Sequence, residues 1–309
     1  MPLCYPQMAN RGTSGAQSSA SQRVVRLRLA PRPARRVPLL LLLVLLAAPV
    51  VSDAEDGPSA DVWHSRIADA LRVGESLAGR AHVIVSRPGD RTLEFSFDAL
   101  RRPGPDSTRT VFEMQEKGSD ESVVSELVVT PGEPLVNWYW DIQKRRWLAV
   151  RGLLATDPWA DSLFRHEDLW LSDPSARRSG SVRAVEEDGL RFVELHSGPY
   201  HYYSRVETRV DPETFLPVRV RFIDVTGAAI REQHFESVEL VDGRPFPKQV
   251  RIRELPNGAE SVLRWERVEF GRTIPRSLLD RSALQDRIRK GVDPVPLDAL
   301  RESHPPGGL

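Results

Sequence analysis

A chain of 309 residues, 40% hydrophobic and 28% charged, has room for one large domain or two ordinary ones, and its composition is that of a globular protein. Basic and acidic residues number 43 each, but residues 1–54 hold seven arginines and one acid, which leaves 36 basic and 42 acidic residues after them, a net of −6. That sign gives no electrostatic reason to hold nucleic acid, and one cysteine, Cys4, rules out an intrachain disulfide and, beyond the leader, a thiolate metal site or thiol nucleophile.

Residues 37–51 (VPLLLLLVLLAAPVV) carry no charge. They fall short of the roughly 20 residues that a helix needs to cross a bilayer. Arg32, Arg35 and Arg36 precede them, and Ser52 and Ala54 follow at a spacing suited to cleavage after Ala54. Residues 1–54 therefore read as a leader with a secretory signal peptide, which in a bacterium delivers the remainder to the periplasm; the alternative is an uncleaved anchor. No cysteine follows the run, so no lipid anchor is expected there.

Residues 55–79 read as a polar linker and then a helix over 61–79, with Ile67, Ala70, Leu71 and Leu77 near helical spacing and Gly79 as its cap. Period-two segments then follow at 81–87, 92–100, 108–116, 122–130, 134–140 and 146–150, a spacing that suits a meander. Leu93, Phe95 and Phe97 share one strand face, and so do Phe112 and Met114. Residues 151–174 break the pattern. They read as loop with a short helix over 159–164, and five of the seven tryptophans lie between Trp138 and Trp170. So aromatic a segment should cover something apolar; ordinary core plugging the end of a sheet is the competing reading.

Strands resume at 179–186, 190–195 and 203–210. Asp211-Pro212 starts a turn, and Pro217 suits the start of a strand. Val218, Val220 and Phe222 then alternate with Arg219 and Arg221, which predicts a half-buried antiparallel strand. Further strands are expected at 229–240, 248–255 and 261–270, with Phe235, Val238, Leu240, Leu263, Trp265, Val268 and Phe270 as apolar positions. Asp242-Gly243 and Asn257-Gly258 are hairpin-turn signals. A helix is expected over 278–288, and a disordered tail beyond Gly291.

No motif for catalysis is present: no nucleophile elbow, no phosphate-cradling glycine loop, no zinc-protease helix. The seven histidines (His64, His82, His166, His196, His201, His234 and His304) are scattered. Neither a metal nor a cofactor is expected, and no enzyme.

The ordered series of segments carries a resemblance. It runs SRPGDRTLEF (86–95), NWYWDIQKRR (137–146), ADSLFRHEDL (160–169), VDPETFLPVRVRF (210–222), FESVELVDGRPFPKQVRI (235–252) and VEFGRTIPRSLL (268–279). This resembles the periplasmic outer-membrane lipoprotein-sorting family, the LolA-like proteins, and within it a branch often encoded beside exporters of the resistance-nodulation-division type. The resemblance implies a mainly β domain over 80–275, a strongly curved antiparallel sheet forming an incomplete, half-open β-barrel with short helices across its concave face. Residues 276–309 would then add a C-terminal helix and tail. It further implies a carrier that shields lipoprotein acyl chains or another lipid, with an inner-membrane exporter as a possible partner; a non-carrying interaction module of such an exporter is the alternative. The expected ligand-binding residues are Phe95, Phe97, Phe112, Met114, Trp138, Trp140, Val220 and Phe222, and the expected lid residues are Trp159, Leu163, Phe164 and Trp170. A core filled by these same side chains, with no cavity, is the competing reading. Two departures stand out. Asp161-Ser162-Leu163-Phe164 replaces the branch's usual Ser-Asp-Phe, and the arginine that latches the lid of the well-studied carriers has no assigned counterpart.

Overall fold

The computed structural model describes residues 58–119, 122–131, 133–151, 157–166, 168, 180–199, 203–297 and 300. Period-two alternation becomes sheet almost throughout. The first meander comprises β1 (Leu77–Ser86), β2 (Leu93–Pro103), β3 (Thr108–Glu116), β4 (Ser122–Val129), β5 (Val136–Asp141) and β6 (Arg146–Arg151). The second comprises β7 (Gly180–Glu187), β8 (Leu190–Ser197), β9 (Arg205–Val210), β10 (Pro217–Ile223), β11 (Ala229–Val241), β12 (Arg244–Glu254) and β13 (Glu260–Phe270). Antiparallel pairing of β1 with β13 joins the two into one 13-stranded sheet, in the order β6-β5-β4-β3-β2-β1-β13-β12-β11-β10-β9-β8-β7. The sheet is curved and not closed into a barrel, as expected, with β6 and β7 at its two ends.

Curvature gathers the inward rows of both meanders into one buried apolar cluster, which includes Val83, Phe95, Phe97, Phe112, Met114, Val220, Phe222, Phe235, Ile252, Leu263 and Trp265. Across the outer face run ion pairs between strands: Arg221–Glu232 at 2.9 Å, Arg251–Glu236 at 3.0 Å and Arg253–Glu260 at 2.8 Å. This is the solvated face that the alternating arginines announced.

Helix α1 (Ala60–Ala70) is shorter than the sequence pattern suggests. Trp63, Ile67 and Leu71 fall on one stripe and pack on Leu195, Val210 and Leu216, so α1 lies on the inner face near β8–β10. It stops because Arg72 takes a positive φ of 56°, held by bonds to the Val241 carbonyl (3.2 Å), Asp242 (3.1 Å) and Glu75 (2.6 Å). Gly79 is therefore not a helix cap. It sits in β1 opposite Val268, where an added Cβ would lie 2.9 Å from both the Arg267 carbonyl oxygen and the Trp265 ring.

A bulge in β13 shifts the expected alternation. Ala81 pairs with Trp265 and Arg80 with Arg267, so Glu266 is the extra residue and both Trp265 and Val268 stay buried. In β11 the pairing with β12 keeps one register past Ser237, from Glu236 opposite Gln249 to Val238 opposite Pro247, although Ser237 has a φ of 52°. Val238 and Leu240 fall in the outward phase of His234 and Glu236 and are exposed, contrary to the expected apolar row.

Past a 3-10 turn at Arg276–Leu278, α2 (Arg281–Arg289) starts at Asp280, whose carboxylate accepts from the Ser282 and Ala283 amides at 3.0 and 3.3 Å. This segment packs on the outer face. Leu278, Leu279, Leu284, Val295 and Leu297 cover Leu100, Val111, Val124 and Trp140 in a second buried cluster. No helix among the described residues is long and apolar enough to cross a membrane. The expected leader, Trp170, His201, His304 and the end of the tail lie outside the described residues.

Candidate functional site

The inner face of the first meander is an aromatic wall. In β2 and β3 the register sets Phe97 opposite Met114 and Ala99 opposite Phe112, and the Phe97 and Phe112 rings lie 5.6 Å apart. Trp159 is inserted into this wall. Its ring centroid is 5.8 Å from Phe95, 5.2 Å from Phe97 and 5.3 Å from Phe112, and the residue is 0% exposed. Leu163 and Phe164 join the same cluster.

These three side chains come from a loop, not the short helix expected over 159–164. Pro158 and Arg165 form an isolated antiparallel bridge. Between them the Trp159 amide donates to the Phe164 carbonyl (2.7 Å) and the Ser162 amide to the Trp159 carbonyl (2.9 Å). The turn residues Ala160 and Asp161 have φ of 49° and 56°, a mirror-type turn that Asn and Gly normally supply. The Ser162 hydroxyl, donating to the Trp159 carbonyl at 2.6 Å, holds it closed.

Polar contacts latch the loop to the wall. The Leu163 amide donates to the Ser261 hydroxyl at 2.9 Å. Arg231 of β11, 1% exposed, donates to the Leu163 carbonyl (3.2 Å) and forms an ion pair with Asp168, while its guanidinium lies 4.7 Å from the Phe222 ring. His166 is buried as well. Its Nδ1 accepts from the Asn137 amide at 2.8 Å and lies 3.2 Å from the Tyr139 hydroxyl. Burial lowers the His166 pKa to about 4, against a raising effect of Asp168, so the imidazole is neutral at physiological pH.

Of the expected ligand-binding residues, Phe95, Phe97, Phe112, Met114, Val220 and Phe222 share the inner cluster with Trp159, Leu163 and Phe164. Trp138 and Trp140 do not. They belong to the outer face, where the Trp138 ring lies 4.0 Å from the Arg281 guanidinium and Trp140 packs on Trp147 and the C-terminal segment. Their strand neighbours Asn137 and Tyr139 point inward instead. Arg231 was not anticipated, yet a signal exists: it shares the phase of Gln233 and Phe235, so a charge stands in an inward row. With the loop in place, the space left among Phe97, Phe112, Phe164, Leu263 and Trp265 is a cavity of about 30 Å³, enough for a water or two. Among the described residues no group of three or more His, Cys, Asp or Glu could hold a metal.

The fold has known counterparts. A family model described as "Uncharacterized protein" matches residues 130–286, just over half of the chain. The chain is similar to a DUF1329 family protein from Desulfovibrio piger, with a TM-score of 0.63 at 15% identity over 74% of this chain and 99% of that one. It is similar to a putative outer membrane lipoprotein-sorting protein domain from Vibrio parahaemolyticus, with a TM-score of 0.62 at 14% identity over 74% and 98%. A LolA superfamily protein from Nitrosomonas europaea gives 0.55 at 14% identity over 73% and 99%. No curated protein matches the chain. Identities this low show a shared fold, and that fold is LolA-like.

Proposed function

This chain belongs to the family described as "Uncharacterized protein", and from that premise and its LolA-like fold we propose that it is a periplasmic carrier of a hydrophobic ligand. The ligand, a lipoprotein acyl chain or another lipid, would lie against Phe95, Phe97, Phe112, Met114, Val220 and Phe222 once the loop bearing Trp159, Leu163 and Phe164 swings out. The observation that carries the reading is the insertion of Trp159 into an aromatic wall from a loop that polar contacts latch to the sheet. The loop occupies the place of a ligand.

Magnitudes favour exchange. A sixteen-carbon chain gains on the order of 12 kcal/mol on leaving water. The three plugging side chains gain roughly 4–9 kcal/mol between them when buried. An acyl chain can therefore displace the plug and still offset part of the cost of opening the Arg231–Asp168 pair. No catalytic residue is needed, which agrees with the absence of a catalytic motif in the sequence. The apolar run at 37–51 and the lipoprotein-sorting relative support a periplasmic location.

A second reading, a non-carrying interaction module of an exporter, draws on one observation: the hollow is filled in this structure, with about 30 Å³ to spare. Titration with the neutral fluorophore N-phenyl-1-naphthylamine separates the two. The carrier reading expects saturable binding that tightens in Trp159→Ala, and lipid in protein isolated from periplasm. Failure of both the wild type and this variant to bind, with no co-purifying lipid, would leave the interaction module.

A further inference from the structure

The inner face is not apolar from end to end. The inward row of β2 reads Phe95, Phe97, Ala99, Arg101, and the facing row of β3 reads Met114, Phe112, Thr110. Arg101 is the cross-strand partner of Thr110, so both rows turn polar at the same level. Both residues are 5% exposed, and both line the cavity beside Phe97 and Phe112. The hollow thus has a greasy shaft with a guanidinium and a hydroxyl at one end.

That guanidinium is fixed. Its Nε donates to the Glu75 carbonyl at 3.1 Å and its Nη2 to the Arg72 carbonyl at 2.6 Å, and it lies 6.0 Å from the Phe270 ring. Burial pulls its pKa down to about 10, with Glu75 acting in the opposite direction, so it remains charged at neutral pH. Among the described residues, the one carboxylate lining the same cavity is Asp168, which comes from the plug segment and is ion-paired to Arg231. When the plug withdraws, Asp168 leaves with it, whereas Arg101 and Arg231 remain on their strands. The vacated hollow then presents cations and no carboxylate from the loop.

We propose that the cargo is an anionic amphiphile, its carboxylate or phosphate head group held by Arg101 beside Thr110 and its hydrocarbon tail laid along the Phe97 and Phe112 rows. This rests on the carrier reading and narrows it to one chemical class. A guanidinium in a desolvated site gives a charge-assisted hydrogen bond to either anion; an alcohol or ester of the same length forgoes it.

The test is displacement of N-phenyl-1-naphthylamine from the wild-type protein at pH 7.5 by dodecanoate, dodecyl phosphate and dodecanol. Both anions are expected to displace the probe at concentrations at least about tenfold below dodecanol, a factor that one charge-assisted bond supplies. The preference should vanish in Arg101→Met and persist in Arg101→Lys. The relative strength of the two anions tells a fatty-acid cargo from a phosphate-bearing one. Equal displacement by dodecanol overturns the head-group assignment and leaves the carrier reading intact. A preference retained in Arg101→Met moves the head group away from Arg101 and overturns the assignment to that residue. A probe that binds neither wild type nor Trp159→Ala removes the carrier reading and this inference with it. Should Arg101→Met fail to fold, the wild-type ranking and Arg101→Lys still decide, since dodecanol matching the anions in either refutes the proposal.

Discussion

A buried neutral imidazole is a latent acid sensor, and His166 sits where sensing would matter. It is wedged between Asn137 and Tyr139 of the wall and belongs to the segment that carries the plug. Its folded pKa, near 4, lies below the ordinary value of about 6.5. The unfolded state therefore binds the extra proton first as pH falls. Stability from this group is fully present above pH 6.5 and is lost between about 6.5 and 4, by up to about 3 kcal/mol. Glu113 acts with the opposite sign. Burial, with Asp293 and Asp98 nearby, raises its pKa to about 7, so its contribution falls as pH rises from the usual carboxylate range to about 7. Only a comparison isolates the histidine. Denaturant unfolding at pH 7 and pH 4.5 should show the wild type losing more stability than His166→Gln over that interval; identical losses would mean that His166 carries no proton-linked strain. The Arg231–Asp168 pair is the other decisive contact at this scale. Removing one partner of a fully buried pair typically costs about 3–5 kcal/mol, so either single variant should loosen the plug.

Among the elements, β1 shows how a single residue reassigns a segment. Its first three residues, Leu77, Ala78 and Gly79, read as the end of a helix in local pattern, yet they pair with Phe270, Glu269 and Val268. Gly79 is there because the backbone of β13 and the Trp265 ring approach too closely for a Cβ. Gly79→Ala should cost about 1–3 kcal/mol by forced overpacking. Gly74→Ala is the control: nothing lies within 4 Å of its added Cβ, so it should be neutral or slightly stabilising. Thermal melts of the two variants decide, and equal melting temperatures would refute the close-approach argument. Hairpin turns were legible because their chemistry is local. Asp242-Gly243 takes φ of 51° and 75°, the mirror-type turn such pairs favour, and Asn257-Gly258 lies between β12 and β13 with Gly258 at a φ of 72°. The bulge at Glu266 was not legible, since an extra residue in a ladder is defined by the partner strand.

At the level of the whole molecule, the sheet has a task on each face. The plug and α1 occupy the inner one; the C-terminal segment covers the outer one with Leu278, Leu279, Leu284, Val295 and Leu297. Leu284, 0% exposed, tests whether the two faces act independently. Leu284→Ala should lose about 2–5 kcal/mol of stability while probe affinity in the hollow stays at the wild-type value. A joint loss of both would show that the faces are coupled. The same two-faced arrangement explains the misplaced tryptophans. In Asn137-Trp138-Tyr139-Trp140 both phases contain an aromatic, and hydropathy alone favours Trp138 and Trp140 for the interior. The outer face becomes a second interior only because the chain returns to cover it. By itself the sequence determined the strands, their turns, the inward phases of β2, β3 and β10, and an aromatic segment in want of something to cover, because side-chain alternation and turn chemistry are settled over a few residues. The tertiary structure alone decided that β1 meets β13, that Arg231 reaches Asp168, and that Trp159 fills the hollow, because each of these depends on bringing together groups far apart in the chain.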